Sequence, residues 1–199
     1  MKSSANNLSL VFKKHAANNP DKHFIIIDNE KVYTYSEVNN MVNKICRYFN
    51  SLNLIPGDII SAVLKNKIEY IVFYIASLRY GTIFNPYPFT LSAKDINRYL
   101  NKTDSMLIFC QDEHYTGLNN SNTNCDTILI SKDMIEGFQY SDEPWDDFSP
   151  KTNSPACMYY SSGTTGNPKN ILFSYNNMVT NISSIVRGFK FTNKDIHLI

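Results

Sequence analysis

The chain has 199 residues, 43% of them hydrophobic and 19% charged, which excludes a disordered polyelectrolyte and leaves enough apolar mass for a substantial core. Its 19 basic and 18 acidic side chains give a formal net charge of +1, too little to attract nucleic acid or an anionic membrane by general electrostatics. Residues 1–20 contain neither a signal core nor a transmembrane run, because Lys13 and Lys14 interrupt a short mixed stretch, so the sequence predicts a cytoplasmic protein without a membrane span.

The first element is a short amphipathic helix with Leu8, Val11, Phe12 and Ala16 on one face, closed by Pro20. His23 to Ile27, the turn residues Asp28 and Asn29, and the alternating Val32 to Tyr35 predict a β-hairpin. Thr34 and Glu37 have capping-box spacing ahead of an apolar stripe of Val38, Met41, Val42, Ile45, Cys46, Phe49 and Leu52, a helix that must face a core. Strand and helix then alternate: Ile59 to Leu64, Ile68 to Arg79 ending at Gly81, Thr82 to Phe84, a helix capped by Ser92 and Asp95 through Leu100, and strands at Met106 to Cys110 and Thr127 to Ile130. Such alternation predicts an α/β fold, a mostly parallel sheet flanked by helices with an N-terminal β-hairpin.

Gln111 to Asn124 and Gly137 to Pro155 lack periodicity and read as surface loops. The second either marks a subdomain boundary at 137–155 or connects strands of one sheet, and the sequence is compatible with both. Cys46, Cys110, Cys125 and Cys157 lack the paired spacing of metal or redox sites and read as buried reduced thiols, with a disulfide or metal framework as the alternative, and the four histidines are equally scattered.

The chemistry-bearing segment follows the short strand Ala156 to Tyr160. Ser161, Ser162, Gly163, Thr164, Thr165, Gly166, Asn167, Pro168 and Lys169 lead into a second strand, Ile171 to Phe173, and a helix capped by Ser174. Four hydroxyls, backbone N–H groups, two glycines that permit close approach and one ammonium suit a polyphosphate. The spacing is not that of a Walker loop, because Pro168 precedes Lys169 and Asn170 follows it. A small-residue turn between strands has a similar composition, so composition alone leaves both readings open.

Tyr160 to Lys169, YSSGTTGNPK, resembles the signature loop of the adenylate-forming (AMP-binding) superfamily of acyl-CoA synthetases, peptide-synthetase adenylation domains and luciferases. FKKHAANNPDKHFIII, YTYSEVNNMVNKICRYF and GDIISAVLKNKIEYIVFYIASLRYGTIFNPYP resemble further family segments in family order, so the likeness covers essentially residues 1–199. It implies ATP phosphate binding by Ser161, Ser162, Gly163, Thr164, Thr165, Gly166 and Lys169. It also implies an ATP- and Mg2+-dependent activation of a carboxylic acid as acyl-AMP, with transfer to the thiol of CoA or a carrier protein. Two departures stand out, Asn170 where the family usually has Gly and Tyr175 where it often has His.

In the family, the adenine-binding segment, magnesium ligand, ribose-binding aspartate, hinge and catalytic lysine lie further downstream. The expectation is therefore the N-terminal portion of an AMP-binding domain, not catalytically complete alone, with a strand beginning at Asp195 and an exposed sheet edge. The alternative is a noncatalytic nucleotide-binding or interaction module, such as half of a split synthetase, with a complementing chain or self-association through that edge.

Overall fold

Asn7 opens the first helix, α1 (Leu8–Asn18), by accepting the Ser9 N–H on its side-chain oxygen at 2.9 Å, which satisfies a donor that has no helical partner. The computed structural model describes residues 7–27, 31–119, 125–131, 134–151, 153–161 and 169–197. Strands β1 (His23–Ile27) and β2 (Lys31–Thr34) pair antiparallel, as the hairpin pattern predicts. Thr34 then caps α2 (Tyr35–Ser51): its hydroxyl accepts the Glu37 N–H at 3.2 Å, and the Glu37 carboxylate accepts the Thr34 N–H at 2.7 Å.

The alternating region comprises β3 (Ile59–Val63), α3 (Ile68–Tyr80), β4 (Ile83–Pro86), α4 (Ala93–Leu100), β5 (Ser105–Cys110), α5 (Asp112–Asn119) and β6 (Asp126–Leu129). A short α6 (Met134–Gly137) precedes β7 (Pro155–Ser161), β8 (Lys169–Ser174) and α7 (Tyr175–Phe189). Among the described residues, six strands form one sheet in the order β6-β5-β3-β4-β7-β8, parallel except that β8 runs antiparallel to β7. The fold is the expected α/β arrangement.

Strand β5 shows why both sheet faces carry helices. Leu107 and Phe109 join a core with Phe49 of α2 and Phe73 of α3, whereas Ile108 and Cys110 join Ile96 and Leu100 of α4 and Leu118 of α5. Successive strand residues point to opposite faces, so a strand apolar at nearly every position needs cover on each side. Helix α3 stops at Gly81, whose φ of +100° disfavours any residue with a side chain.

Two stretches depart from the sequence reading. Within the expected loop 111–124 the structure forms α5, a helix too short to display a period, with His114 and Leu118 inward. Gly117 lets it approach α4, since a Cβ there would lie 2.6 Å from that of Ala93. Residues 141–151 form a strap across α1, α2 and α3 rather than a free surface loop. Asn43 donates to the Asp142 carbonyl at 2.9 Å, Lys13 to the Trp145 carbonyl at 2.8 Å, and the Phe148 N–H to the Arg79 carbonyl at 2.7 Å. Beyond the strap, β7 joins β4 in the same sheet.

Under the strap, Arg79 is fully buried. Its guanidinium donates to Asn43 Oδ1 at 2.5 Å, Asn39 Oδ1 at 2.9 Å and Ser9 Oγ at 3.1 Å, and Nε lies 3.5 Å from Asp147 Oδ1. Asp147 also accepts from Ser9 and from the Lys13 ammonium, each at 2.7 Å. At the other end of the chain, the strand predicted from Asp195 is not formed among the described residues. Residues 192–195 instead make a turn in which the Asp195 carboxylate accepts the Thr192 N–H at 2.5 Å.

Cys46, Cys110 and Cys157 are buried, Cys125 is partly buried, and all four are free thiols. Burial, which penalises the thiolate, pushes each from 9.0 up to about 12. An unfolded thiol loses its proton near its ordinary value while the folded one retains it. This contribution to stability is therefore complete below about pH 9 and is lost as the pH rises toward 12. In an ultraviolet titration at about pH 10, the native chain should show little thiolate absorbance and the denatured chain nearly full ionisation.

Candidate functional site

The carboxyl end of β7 carries the phosphate-loop candidate. β7 runs parallel to β4, so its connection to β8 emerges at the carboxyl edge of the parallel strands, where open α/β sheets place their ligands. The β7–β8 pair is antiparallel, in the register Met158 with Leu172, Tyr160 with Asn170 and Ser161 with Lys169. The last pair closes the connection, leaving residues 162–168 as the segment between the strands. Ser162, Gly163, Thr164, Thr165 and Gly166 fall in that segment and lie outside the described residues. Of the sequence-predicted site residues, the structure therefore describes the two that flank it, bringing Ser161 and Lys169 opposite each other with Lys169 exposed.

Both departures from the family pattern receive a structural account. Asn170 lies in β8, paired with Tyr160, and is not among the described residues that take a positive φ, so glycine is not required there. Tyr175 starts α7 and is buried, and its hydroxyl donates to the Leu78 carbonyl near the end of α3 at 3.0 Å. Burial pushes its phenol well above the usual range, so it acts here as a fixed neutral donor. Ser174 accepts the Asn177 N–H at 3.1 Å, and the Asn177 side-chain oxygen accepts the Ser174 N–H at 3.1 Å, so the predicted cap is formed.

Below the loop, a polar network that sequence reasoning missed crosses the α4–α5 face of the sheet. Tyr160 Oη lies 3.1 Å from Tyr87 Oη and 3.5 Å from Asn85 Nδ2. Asn85 Nδ2 also donates to Tyr87 Oη at 3.1 Å and Ser61 Oγ at 2.8 Å, and Ser61 Oγ meets Ser105 Oγ at 2.7 Å. The available signal was a polar residue inside or directly beside each of three expected strands, Ser61 within Ile59 to Leu64, Asn85 just after Phe84 and Ser105 just before Met106. Only the strand order places them side by side.

Among the described residues no three His, Cys, Asp or Glu side chains stand together in a way that would hold a metal. No described helix is long and apolar enough to cross a membrane.

A family model described as AMP-binding enzyme matches residues 12–199, and the chain belongs to that family. It is 21% identical over 203 residues to an oxalate–CoA ligase of Arabidopsis thaliana, an alignment covering 96% of this chain and 40% of the ligase. It is 24% identical over 186 residues to a nonribosomal peptide synthetase of Gibberella zeae, covering 94% of this chain and 2% of that protein. Among solved structures, ATP-bound MatB from Rhodopseudomonas palustris superposes with a TM-score of 0.86 at 18% identity, covering 96% of this chain and 39% of MatB, a likeness of fold. The chain thus spans about 40% of the length of the oxalate–CoA ligase it matches.

Proposed function

We propose that this chain supplies the ATP-phosphate-binding loop of an adenylate-forming ligase that activates a carboxylic acid as acyl-AMP for transfer to the thiol of CoA or a carrier protein. In this reading Ser161, Ser162, Thr164 and Thr165 donate hydroxyl hydrogen bonds to phosphate oxygens. Gly163 and Gly166 allow their backbone N–H groups to approach, and Lys169 neutralises charge on the β- and γ-phosphates. The observation that carries the reading is the Ser161–Lys169 pair at the carboxyl edge, which holds the two ends of the hydroxyl-rich segment together and leaves the ammonium exposed beside it.

ATP is the substrate that provides the activating phosphoanhydride, with magnesium to balance its charge. Magnesium is commonly held by nucleotide phosphates and one or two carboxylates, so a dedicated cage of acidic side chains on this chain is not required. The residues of this chain bind and orient the triphosphate, so that the α-phosphate faces an incoming carboxylate in line with the leaving pyrophosphate.

A second feature favours action within a larger assembly. β8 exposes Ile171, Leu172 and Phe173 on both of its faces, and α7 exposes Ile182, Ile185, Val186 and Phe189 at helical spacing. A contiguous apolar surface of this kind marks a face that packs against a partner. The reading is therefore that catalysis requires further polypeptide packed on β8 and α7, in line with the share of the oxalate–CoA ligase that this chain spans. A noncatalytic nucleotide-binding module would present the same surface to a different partner.

Calorimetric titration of the folded chain with Mg-ATP tests the phosphate-loop reading. A charge-assisted contact contributes roughly 1.5–3 kcal/mol, so Lys169→Ala is expected to weaken binding by about tenfold or more. Equal affinity of the wild-type chain and Lys169→Ala for ATP would discard the assignment of Lys169.

A further inference from the structure

We propose that Tyr160 is a positioning residue for the loop, its hydroxyl and ring fastening the base of the β7–β8 hairpin to β4 and α4 so that the paired residues Ser161 and Lys169, which flank the loop, keep one geometry. The inference rests on the phosphate-loop reading for its functional meaning, but it is argued from independent contacts.

Backbone pairing holds this part of the hairpin weakly. Among the described residues, the register between β4 and β7 is the single pair Phe84 with Cys157, three residues before Tyr160. β8 pairs with β7 and with no other described strand, so it adds no anchor of its own to the sheet. What fixes the carboxyl end of β7 is side-chain contact. The Tyr160 ring stacks on Tyr87 at 5.2 Å between centroids and on Tyr99 of α4 at 5.0 Å, with interplanar angles of 26° and 29°. Its hydroxyl lies 3.1 Å from that of Tyr87, and Asn85 Nδ2 donates to Tyr87 Oη at 3.1 Å while lying 3.5 Å from the Tyr160 hydroxyl.

The hydroxyl has a role that the ring cannot perform. Stacked aromatics permit sliding, because a quadrupolar contact changes little over small displacements, whereas a hydrogen bond is directional, and this part-buried one is costly to break. Asn85 donates to Ser61 as well, so the Tyr160 hydroxyl is tied to the central strand β3 through two intermediaries. Phenylalanine at position 160 would keep the ring contacts and lose the tie. Simple packing and positioning therefore predict different outcomes for Tyr160→Phe.

Hydrogen–deuterium exchange by mass spectrometry reads the geometry without nucleotide. In Tyr160→Phe, peptides spanning 156–174 should exchange about threefold to tenfold faster while those of β3 and α3 stay unchanged. Tyr87→Phe should behave alike, and the double variant should show little more than either single one, since both remove one shared bond. Tyr99→Phe, which keeps the ring stack and removes a hydroxyl outside the Tyr160–Tyr87–Asn85 hydrogen bonds, serves as the control and should leave exchange unaltered. Where the wild-type chain binds Mg-ATP, the Tyr160→Phe dissociation constant should rise by a similar factor, with kinetics of association governed by the same loop. Faster exchange in a chain that does not bind ATP would uphold the positioning role and defeat the phosphate-loop reading instead. Exchange in 156–174 identical to wild type in Tyr160→Phe would overturn the proposal, and faster exchange in Tyr160→Ala alone would assign the ring to simple packing.

Discussion

Arg79→Ala is expected to destabilise the fold by about 3–5 kcal/mol, lowering the melting temperature by roughly 10 °C in a chain of this size. The guanidinium is fully buried and engages Asn39, Asn43, Ser9 and Asp147, four residues from α1, α2 and the strap. Alanine would remove a charge from beside Asp147, whose side chain is 4% exposed, and leave Lys13 as its remaining ionic partner. The amide oxygens of Asn39 and Asn43 would lose donors in the same step. Urea unfolding followed by circular dichroism measures the loss. A double variant, Arg79→Met with Asp147→Leu, should recover part of it, because it leaves no buried ion unpaired and the partly exposed Lys13 keeps its bond to the Trp145 carbonyl. A loss below about 1 kcal/mol for Arg79→Ala would show that the cluster is solvated in solution and that the strap is only loosely attached.

Phe109→Ala should cost a comparable amount, about 3–5 kcal/mol, through a cavity in the middle of the sheet. Phe109 is buried on β5, with ring centroids 4.4 Å from Phe73 and 5.9 Å from Phe49, so it joins α2 and α3 to the strand between β3 and β6. Small-to-large compensation is not available from the neighbours, since both are already full aromatic rings in contact with it. Phe109→Leu should recover more than half of the loss, as leucine refills most of the volume. Thermal unfolding of the two variants beside the wild type decides the point, and equal melting temperatures for Phe109→Ala and wild type would mean that these rings do not form one core.

The two changes probe different parts of one construction. The Arg79 cluster fixes the strap, and the same helix end receives the Tyr175 hydroxyl on the Leu78 carbonyl and the Asn7 amide at 2.9 Å. Because Tyr175 begins α7 directly after β8, the end of α3 is a reference point for the strand that carries Lys169. Loosening it should therefore reach the loop, whereas the Phe109 cavity should act on global stability alone.

Much of this was written locally in the chain. Thr34 and Glu37, Ser92 and Asp95, and Ser174 carry their helix starts within three or four residues, and Gly81 supplies the positive φ that ends α3. The strand-and-helix alternation requires a parallel sheet because parallel strands need a covered crossover. The YSSGTTGNPK segment has a composition suited to a polyphosphate, which residue type alone does not separate from a small-residue turn, whereas membership of the AMP-binding enzyme family follows from residues spread over nearly the whole chain. What the sequence could not state is which distant residues meet. Arg79 reads as one more position near the end of an apolar helix, yet its partners lie 36 and 70 residues away. The strap reads as a polar loop because its extended backbone has no period, and its anchoring bonds run to side chains and carbonyls of three helices. Tyr160, Tyr87 and Asn85 become neighbours only when β4 and β7 stand side by side, which brings together residues as far as 75 positions apart in the chain. Local hydrogen bonding and period are properties of adjacent residues and are legible in order. Burial of a charge or a hydroxyl depends on what the rest of the chain brings to cover it, and that is decided by the tertiary structure.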